Sequence, residues 1–523
     1  MNYSIIKNSF LLALFGSAAN VQGAHALKPE KQPNIVYILC DDLGIGDVSS
    51  YNPSSKISTP NIDKLAKTGV RFTDVHTGSS VSTPTRYGIL TGRYAWRTRL
   101  KQGVLSGYDK ALIESGRETV ASMLQKRNYN TACIGKWHLG WNWSNIEAGE
   151  KGVDFSKAVT GGPNDVGFDY SYNIVGSLDM PPYVYVENAL PIGIPKDTCA
   201  SGKGLGFFRS GIAAPGFKQE EVLPNFTSKA LGYIKEKSKD AKPFFLYFPL
   251  TAPHTPILPT KEFQGKSGLT PYGDFVLMCD DVLKKVVAQL KESGVYDNTI
   301  IIFTSDNGCS KAADIPSMTA KGHYPSGIYR GAKSDIWDGG HRVPFIVSWP
   351  KSVKPKATNK LVCTTDLFRT IAELEKVKLA DNMAEDSYSF LTELTGKSTL
   401  EPQRETVIHH SIDGMFAIRK GDWKQIFCSY SGGWSQPNAK SLETKTLPPI
   451  QLYNMRTDSE EKNNQYDKHP EIVTELTAMI TKQVKEGRST LGVVQQNTGP
   501  KYWKQLNWII EGIYKQIDSA HQK

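Results

Sequence analysis

The chain has few of the features that mark several large protein classes. Its 523 residues include only seven cysteines, at positions 40, 133, 199, 279, 309, 363 and 428 with no Cys-x-x-Cys pair, which excludes a disulfide scaffold. Cys40, Cys133 and Cys363 lie in apolar, strand-like runs and read as small buried hydrophobes. There is no run of five like charges, no internal repeat and no low-complexity segment, so neither disorder nor a coiled coil is the main architecture. Beyond the N-terminus no apolar stretch is long enough to cross a bilayer.

What is present is ordinary for a globular protein: 39% apolar, 22% charged and 10% aromatic residues. Lys and Arg total 62 against 52 Asp and Glu, a basic balance that favours anionic partners without separating nucleic acid from sulfated or phosphorylated glycans. At the N-terminus Lys7 precedes the apolar Phe10–Phe15, followed by small residues and Ala24-His25-Ala26. That is the layout of a secretory signal peptide over residues 1–26. With no cysteine near the cleavage site for a lipid anchor, an exported protein, periplasmic or secreted, is expected.

Short runs that are apolar at every position recur at Ile35–Leu39, Thr131–Ile134, Phe244–Phe248 and Thr299–Phe303. Such runs suit strands covered on both faces. Helical patterns over 61–68, 119–127, 225–237 and 274–292 supply the cover. The pattern implies an α/β fold with a mostly parallel central sheet sandwiched by helices, over residues 27–400. Residues 145–220, rich in Gly, Pro and aromatics, read as an insertion over the active-site face. Strand-like segments at 407–408, 415–418 and 423–427 and a helix over 471–485 imply a smaller C-terminal α+β subdomain with an antiparallel sheet, residues 401–523.

Ligands bind at the carboxyl ends of the strands in an open parallel sheet. Those ends carry Asp41-Asp42, Gly135-Lys136-Trp137-His138, Pro253-His254 and Ser305-Asp306-Asn307-Gly308. Asp41, Asp42, Asp306 and Asn307 form an all-oxygen set suited to calcium or magnesium rather than zinc, whereas either dipeptide alone is also an ordinary turn. Lys136, His138, His254, Lys333 and Arg86 form a cationic set that fits a phosphate or sulfate ester. Ser82, in Ser82-Thr83-Pro84-Thr85-Arg86, falls at a helix start, where a nucleophile and a simple N-cap read alike.

Ser-x-Pro-x-Arg followed by Thr91-Gly92-Arg93 resembles the signature of the type I, arylsulfatase-like sulfatases of the alkaline phosphatase superfamily. Asp41-Asp42-Leu43-Gly44, Gly135-Lys136-Trp137-His138-Leu139-Gly140, Ala252-Pro253-His254, Ser305-Asp306-Asn307-Gly308 and Lys333 followed by Asp338-Gly339-Gly340 are similar to that family's blocks, in its order, over about residues 33–350. The resemblance implies one calcium ion held by Asp41, Asp42, Asp306, Asn307 and a Ser82 oxidised to formylglycine. It further implies that the hydrated aldehyde attacks sulfur and that His254, assisted by Lys333, protonates the leaving oxygen. Lys136 and Lys333 would then clamp the sulfate, Arg86 would position residue 82, and His138 would take the proton as sulfate is expelled. A Ser at the modified position implies a bacterial formylglycine-generating maturation enzyme acting before export.

Two alternatives stay open on the sequence: a phosphatase or phosphodiesterase of the same superfamily using Ser82 directly, and an inactive glycan-binding protein. The expected substrate is a sulfated carbohydrate such as a mucin O-glycan or glycosaminoglycan, with galactose or N-acetylgalactosamine sulfate as one form. No nucleic-acid partner is expected. Asp179, Arg330, Trp141 and Tyr183 are candidate sugar contacts, as is Trp143, and His409 and His410 are candidates for the pocket rim. Tyr502, Trp503, Trp508 and Tyr514 read as a packed tail.

Overall fold

Strands Asn34–Asp41, Phe244–Pro253 and Thr299–Ser305 are buried along their whole length, because each is covered by helices on both faces. Alternate residues feed two separate cores. Ile35, Tyr37 and Leu39 join Leu90, Val120, Leu124 and Phe368 on one side, while Val36, Ile38 and Cys40 join Ile62, Phe226, Phe275 and Val286 on the other. The computed structural model describes Met1, residues 31–500 and residues 502–509. The signal peptide, apart from Met1, and Tyr514 lie outside the described residues.

The sheet has ten strands. Asn34–Asp41 runs parallel to Phe244–Pro253 on one side and to Thr299–Ser305 on the other. Beyond Phe244–Pro253 come Asn130–Lys136 and Tyr170–Ile174, both parallel, then two short antiparallel edge strands, Val186–Glu187 and Leu190–Pro191. The opposite edge is mixed: Phe345–Ser348 is antiparallel to both neighbours, and Val70–Phe72 and Lys356–Thr358 close it. The mostly parallel sandwich expected from the sequence is the fold observed. The insertion over 145–220 differs from expectation in carrying three strands of the sheet: the two short edge strands and Tyr170–Ile174, which is hidden by a Tyr-Ser-Tyr-Asn-Ile sequence without the apolar run of its neighbours.

Local chemistry sets the helix starts. Pro60 and Pro271 occupy first-turn positions where a missing N–H costs nothing. Thr119 caps the helix Val120–Lys126 by accepting from the Ser122 N–H. No described helix is long and apolar enough to cross a membrane.

A four-stranded antiparallel sheet, Thr406–His410, Phe416–Lys420, Trp423–Ile426 and Gln451–Asn454, lies toward the C-terminus. Helix Pro470–Lys485 lays Leu476, Ile480 and Val484 on it at four-residue spacing. Tyr94 and Trp96 enter the same core, as do Trp503 and Trp508, which pack on Phe416 and Phe427.

Polar ties reinforce this junction. Arg97 forms a two-pronged ion pair with Asp386, both contacts at 2.8 Å, and donates to the Gln483 carbonyl and Asn497 Oδ1. Arg93 reaches the Gln496 carbonyl at 3.0 Å. Burial works against the Asp386 charge, but Arg97 outweighs it and holds the carboxyl below its usual range. Removing one partner of a buried pair leaves the other uncompensated. Arg97→Ala is therefore expected to lower unfolding free energy by roughly 3–5 kcal/mol in urea titrations.

Candidate active site

Helix Ser82–Thr91 begins at the carboxyl edge of the sheet, with extended Val81 before it and a left-handed Gly92 after it. Its first residue is the hub. Ser82 Oγ donates to Asp306 Oδ2 at 2.7 Å, lies 3.2 Å from Asp41 Oδ1, and receives Lys136 Nζ at 3.1 Å. Arg86, one turn on, brings Nη2 to 2.8 Å from Asp306 Oδ2 and 3.4 Å from Asp41 Oδ1. Lys136 Nζ sits 2.7 Å from Asp41 Oδ2. On the far side Lys333 Nζ lies 2.8 Å from Asp42 Oδ1, and His254 Nε2 lies 3.8 Å from Asp42 Oδ2. Four strand ends, one helix start and one loop thus meet in a single buried space.

Two of these residues hold strained backbone. Asp42 and His138 have φ of 68° and 55°, a left-handed conformation that costs non-glycine residues of order 1–3 kcal/mol. Hydrogen bonds hold both: Asp42 N–H donates to Asp306 Oδ1, Leu43 N–H to Ser305 Oγ, and His138 N–H to the Val175 carbonyl.

The oxygen set fits a hard cation. Asn307 donates its amide N–H to Asp42 Oδ1 at 2.7 Å, which leaves its Oδ1 buried with no hydrogen-bond partner among the described residues. Asp41, Asp42 and His254 each offer a ligand atom within 4.8 Å of the others. An orphaned amide oxygen beside three carboxylates is the donor chemistry that calcium takes.

Charges set the protonation states. Burial opposes ionisation of Asp41, yet Lys136, His254 and Arg86 together hold its carboxyl below the usual range. Burial pulls Lys136 downward, with Arg86 and Lys333 adding to it against Asp41 and Asp306, whereas for Lys333 the carboxylates Asp42, Asp41 and Asp306 win over burial and raise it. His138 is pushed well down by burial, then by Lys136 and Arg86. Its Nε2 pairs with the Leu105 carbonyl at 2.8 Å while Nδ1 is buried with no partner among the described residues. A neutral ring that donates through Nε2 keeps a free lone pair on Nδ1.

The sugar candidates fall in different places. Asp179 lies beside this space and pairs with Arg209 at 2.5 Å. Tyr183 is buried and its hydroxyl donates to the Arg209 carbonyl at 2.6 Å, so it supports the loop rather than facing the site. Trp141 packs edge-on to Trp143 in the core. Arg330 stacks on Trp337 at 3.6 Å and donates to the Glu461 carbonyl. Arg209 carries no sequence signal of its role, because it sits in an irregular Gly- and aromatic-rich segment with no periodicity or motif around it. The Leu105 carbonyl, a backbone atom, leaves no sequence signal at all.

His409 and His410 are buried rather than on a rim. His409 stacks on His341 with centroids 3.7 Å apart and rings 13° from parallel, and His76 Nδ1 faces His341 Nδ1 at 3.1 Å. His76 is tilted 42° and 43° to the other two rings, and a ligand atom of each of the three lies within 4.8 Å of the others, but Lys424 Nζ stands 3.2 Å from His341 Nε2 and Arg419 Nη1 3.2 Å from His76 Nε2, cations that disfavour a shared metal there. Burial, then His341, His76 and Lys424, push His409 well down, so it is neutral in the fold. An unfolded imidazole binds its proton near pH 6.5. Below about pH 6.5 the unfolded state therefore holds more protons, so stability is lost as the pH is lowered. His409→Phe is expected to reduce that slope between pH 5 and 6 by about 1 kcal/mol per pH unit, read from urea unfolding.

A family model described as Sulfatase matches residues 33–377. N-acetylgalactosamine-6-O-sulfatase of Bacteroides thetaiotaomicron is 36% identical over 89% of this chain and 96% of its own length. Human arylsulfatase A is 31% identical over 84% of this chain and 85% of its own. A solved structure titled for glycosaminoglycan metabolism by Bacteroides thetaiotaomicron superposes with a TM-score of 0.76 at 35% identity, over 86% of this chain and 99% of that one. A family match that spans the parallel sheet, joined by relatives aligned over most of their length, makes the chain a member of the sulfatase family.

Proposed function

We propose that this protein removes an O-sulfate from a carbohydrate, with 6-sulfated N-acetylgalactosamine or galactose, as found in mucin O-glycans or glycosaminoglycans, as its substrate. It acts after export, on a residue 82 oxidised to formylglycine, with one calcium ion. The observation that carries this reading is Ser82 Oγ, bonded at once to Asp306, Asp41 and Lys136 at the start of a buried helix. The relative named for N-acetylgalactosamine 6-O-sulfate supports the substrate, and the net positive balance of the chain supports an anionic glycan.

Asp41, Asp42, Asp306 and the Asn307 amide oxygen would hold the cation, which supplies Lewis-acid polarisation when bound. Oxidised and hydrated, residue 82 offers one hydroxyl for attack and a second through which sulfate can later be expelled. Arg86, anchored on Asp306 and the Lys136 carbonyl, fixes the helix start that presents residue 82. Lys136 and Lys333 hold the sulfate oxygens as charge builds on them. His254, with Lys333 beside it, delivers a proton to the departing sugar oxygen. His138, neutral and with Nδ1 free, accepts the proton given up by residue 82 when sulfate leaves. Asp179 is assigned to the sugar, and Tyr183 to the loop that carries Arg209.

Two measurements check the reading. In protein from a host with a formylglycine-generating enzyme, a peptide spanning Ser82 should be lighter by two hydrogens. That protein should hydrolyse an aryl sulfate far faster than the matching aryl phosphate, while unmodified Ser82 protein should show little turnover. Phosphate preference, or full sulfate turnover with intact Ser82, overturns the assignment. Calcium at about 1,000 times its dissociation constant should stabilise the fold by about 4 kcal/mol over chelator-treated protein. Asn307→Ala should weaken that dependence, read as a shift in the calcium midpoint of thermal unfolding.

A further inference from the structure

Asp179 has one carboxylate oxygen engaged and one with nothing to bind. Oδ2 accepts from Arg209 Nη1 at 2.5 Å. Oδ1 is buried and has no hydrogen-bond partner among the described residues, and the residue as a whole is 7% exposed. A buried acceptor is normally satisfied, and one left open beside a reaction site is a place for a donor that arrives from outside. Burial works against its ionisation, but His254, Arg209 and Lys333 outweigh burial and hold the carboxyl below its usual range, so it meets that donor as an anion.

Its position is built rather than incidental. The turn Ser177–Met180, closed by Met180 N–H to the Ser177 carbonyl at 2.9 Å, comes just after the strand Tyr170–Ile174. A Cβ added at Gly176 would stand 3.8 Å from the His138 ring. Arg209 grips the turn at two further points, its backbone N–H and its guanidinium both donating to the Asp179 carbonyl at 3.0 and 3.2 Å. The Arg209 carbonyl is in turn held by the Tyr183 hydroxyl. Tyr183 is itself fixed by two backbone bonds, its N–H to the Ile212 carbonyl and its carbonyl to the Ala214 N–H.

We propose that Asp179, oriented by Arg209, accepts a hydrogen bond from a ring hydroxyl of the sulfated sugar and thereby selects which sugars are turned over. The inference rests on the carbohydrate sulfatase reading and narrows it. The substrate carries a free hydroxyl near the ester, and a sugar with a second sulfate or a carboxylate at that place is repelled by Asp179. In a hexose 6-sulfate the nearest ring hydroxyl is on C4, the position at which galactose and glucose differ. A site built to hydrogen-bond a hydroxyl discriminates strongly, because an ill-matched sugar leaves the carboxylate unpaired.

The test compares matured wild type, Asp179→Ala and the isosteric Asp179→Asn on N-acetylgalactosamine 6-sulfate, N-acetylglucosamine 6-sulfate and 4-methylumbelliferyl sulfate, which has no hydroxyl to offer. Thermal unfolding confirms that each variant is folded. On N-acetylgalactosamine 6-sulfate both variants should lose about 100-fold or more in kcat/KM. On the aryl sulfate the loss should stay about tenfold or less, and the galacto-over-gluco preference should collapse. Arg209→Ala should raise KM for the sugar more than it lowers kcat, and Arg209→Lys should restore much of the difference. Parallel losses on sugar and aryl sulfate, or undiminished turnover of the sugar sulfate, overturn the role of Asp179 while leaving the sulfatase reading intact. Wild type that cleaves neither sulfate overturns that reading and this inference together.

Discussion

Three carboxylates and three cations share one largely buried space, and neither set is tolerable there alone. Asp41, Asp42 and Asp306 would repel one another and protonate if buried by themselves, and Lys136, Lys333 and Arg86 would lose their charge or force the pocket open. Interleaved, they cancel. The balance also fixes what can be added. A dication alone would leave the pocket two charges positive, and an anion alone would leave it negative, so the two are bound best together. A sulfate ester brings one negative charge and becomes a dianion on release. The arrangement therefore favours the end of the reaction's charge build-up over its start, which is the condition for stabilising a transition state.

The sheet makes this convergence possible. Parallel strands covered on both faces turn every side chain along their length into packing, and only the residues at their ends are free for chemistry. Asn34–Asp41 lies between Phe244–Pro253 and Thr299–Ser305, so Asp41 and Asp42 meet His254, Asp306 and Asn307 at one edge although Asp306 is 264 and Asn307 265 positions beyond Asp42 in the chain. Two of the chain's left-handed non-glycine residues, Asp42 and His138, stand at this edge. The cost of their backbone is carried by the two cores below it.

How legible this was depended on the kind of signal. Runs such as Ile300-Ile301-Ile302-Phe303 announce a doubly covered strand, and the residues just past the end of each run are the acidic and basic groups of the site. Tyr170–Ile174 escaped because it sits near the sheet margin, where pairing supplies order and a continuous apolar run is not needed. Asp179 was recognisable as a polar residue in an irregular segment, but its partner Arg209 lies 30 positions away and nothing in spacing connects the two. Trp141 and Arg330 show the converse limit: nearness in sequence to a motif does not fix direction, and the side chains turn to Trp143 and to Trp337. His409 and His410 obey the same rule, turning inward, His409 to a stack of neutral rings.

The grip of Arg93 and Arg97 on Gln483, Gln496 and Asn497 has a bearing on the order of assembly. These arginines stand just past the helix that begins with Ser82, yet their carbonyl partners are synthesised about four hundred residues later. Until that distant stretch leaves the ribosome, the donors that Arg93 and Arg97 aim at it lack their final acceptors, although Arg93 already has Tyr87 and Glu114 in reach. The closing of this corner is accordingly a late event in the life of the nascent chain. An enzyme that reworked Ser82, which ends 2% exposed, would have to reach it before that corner closed.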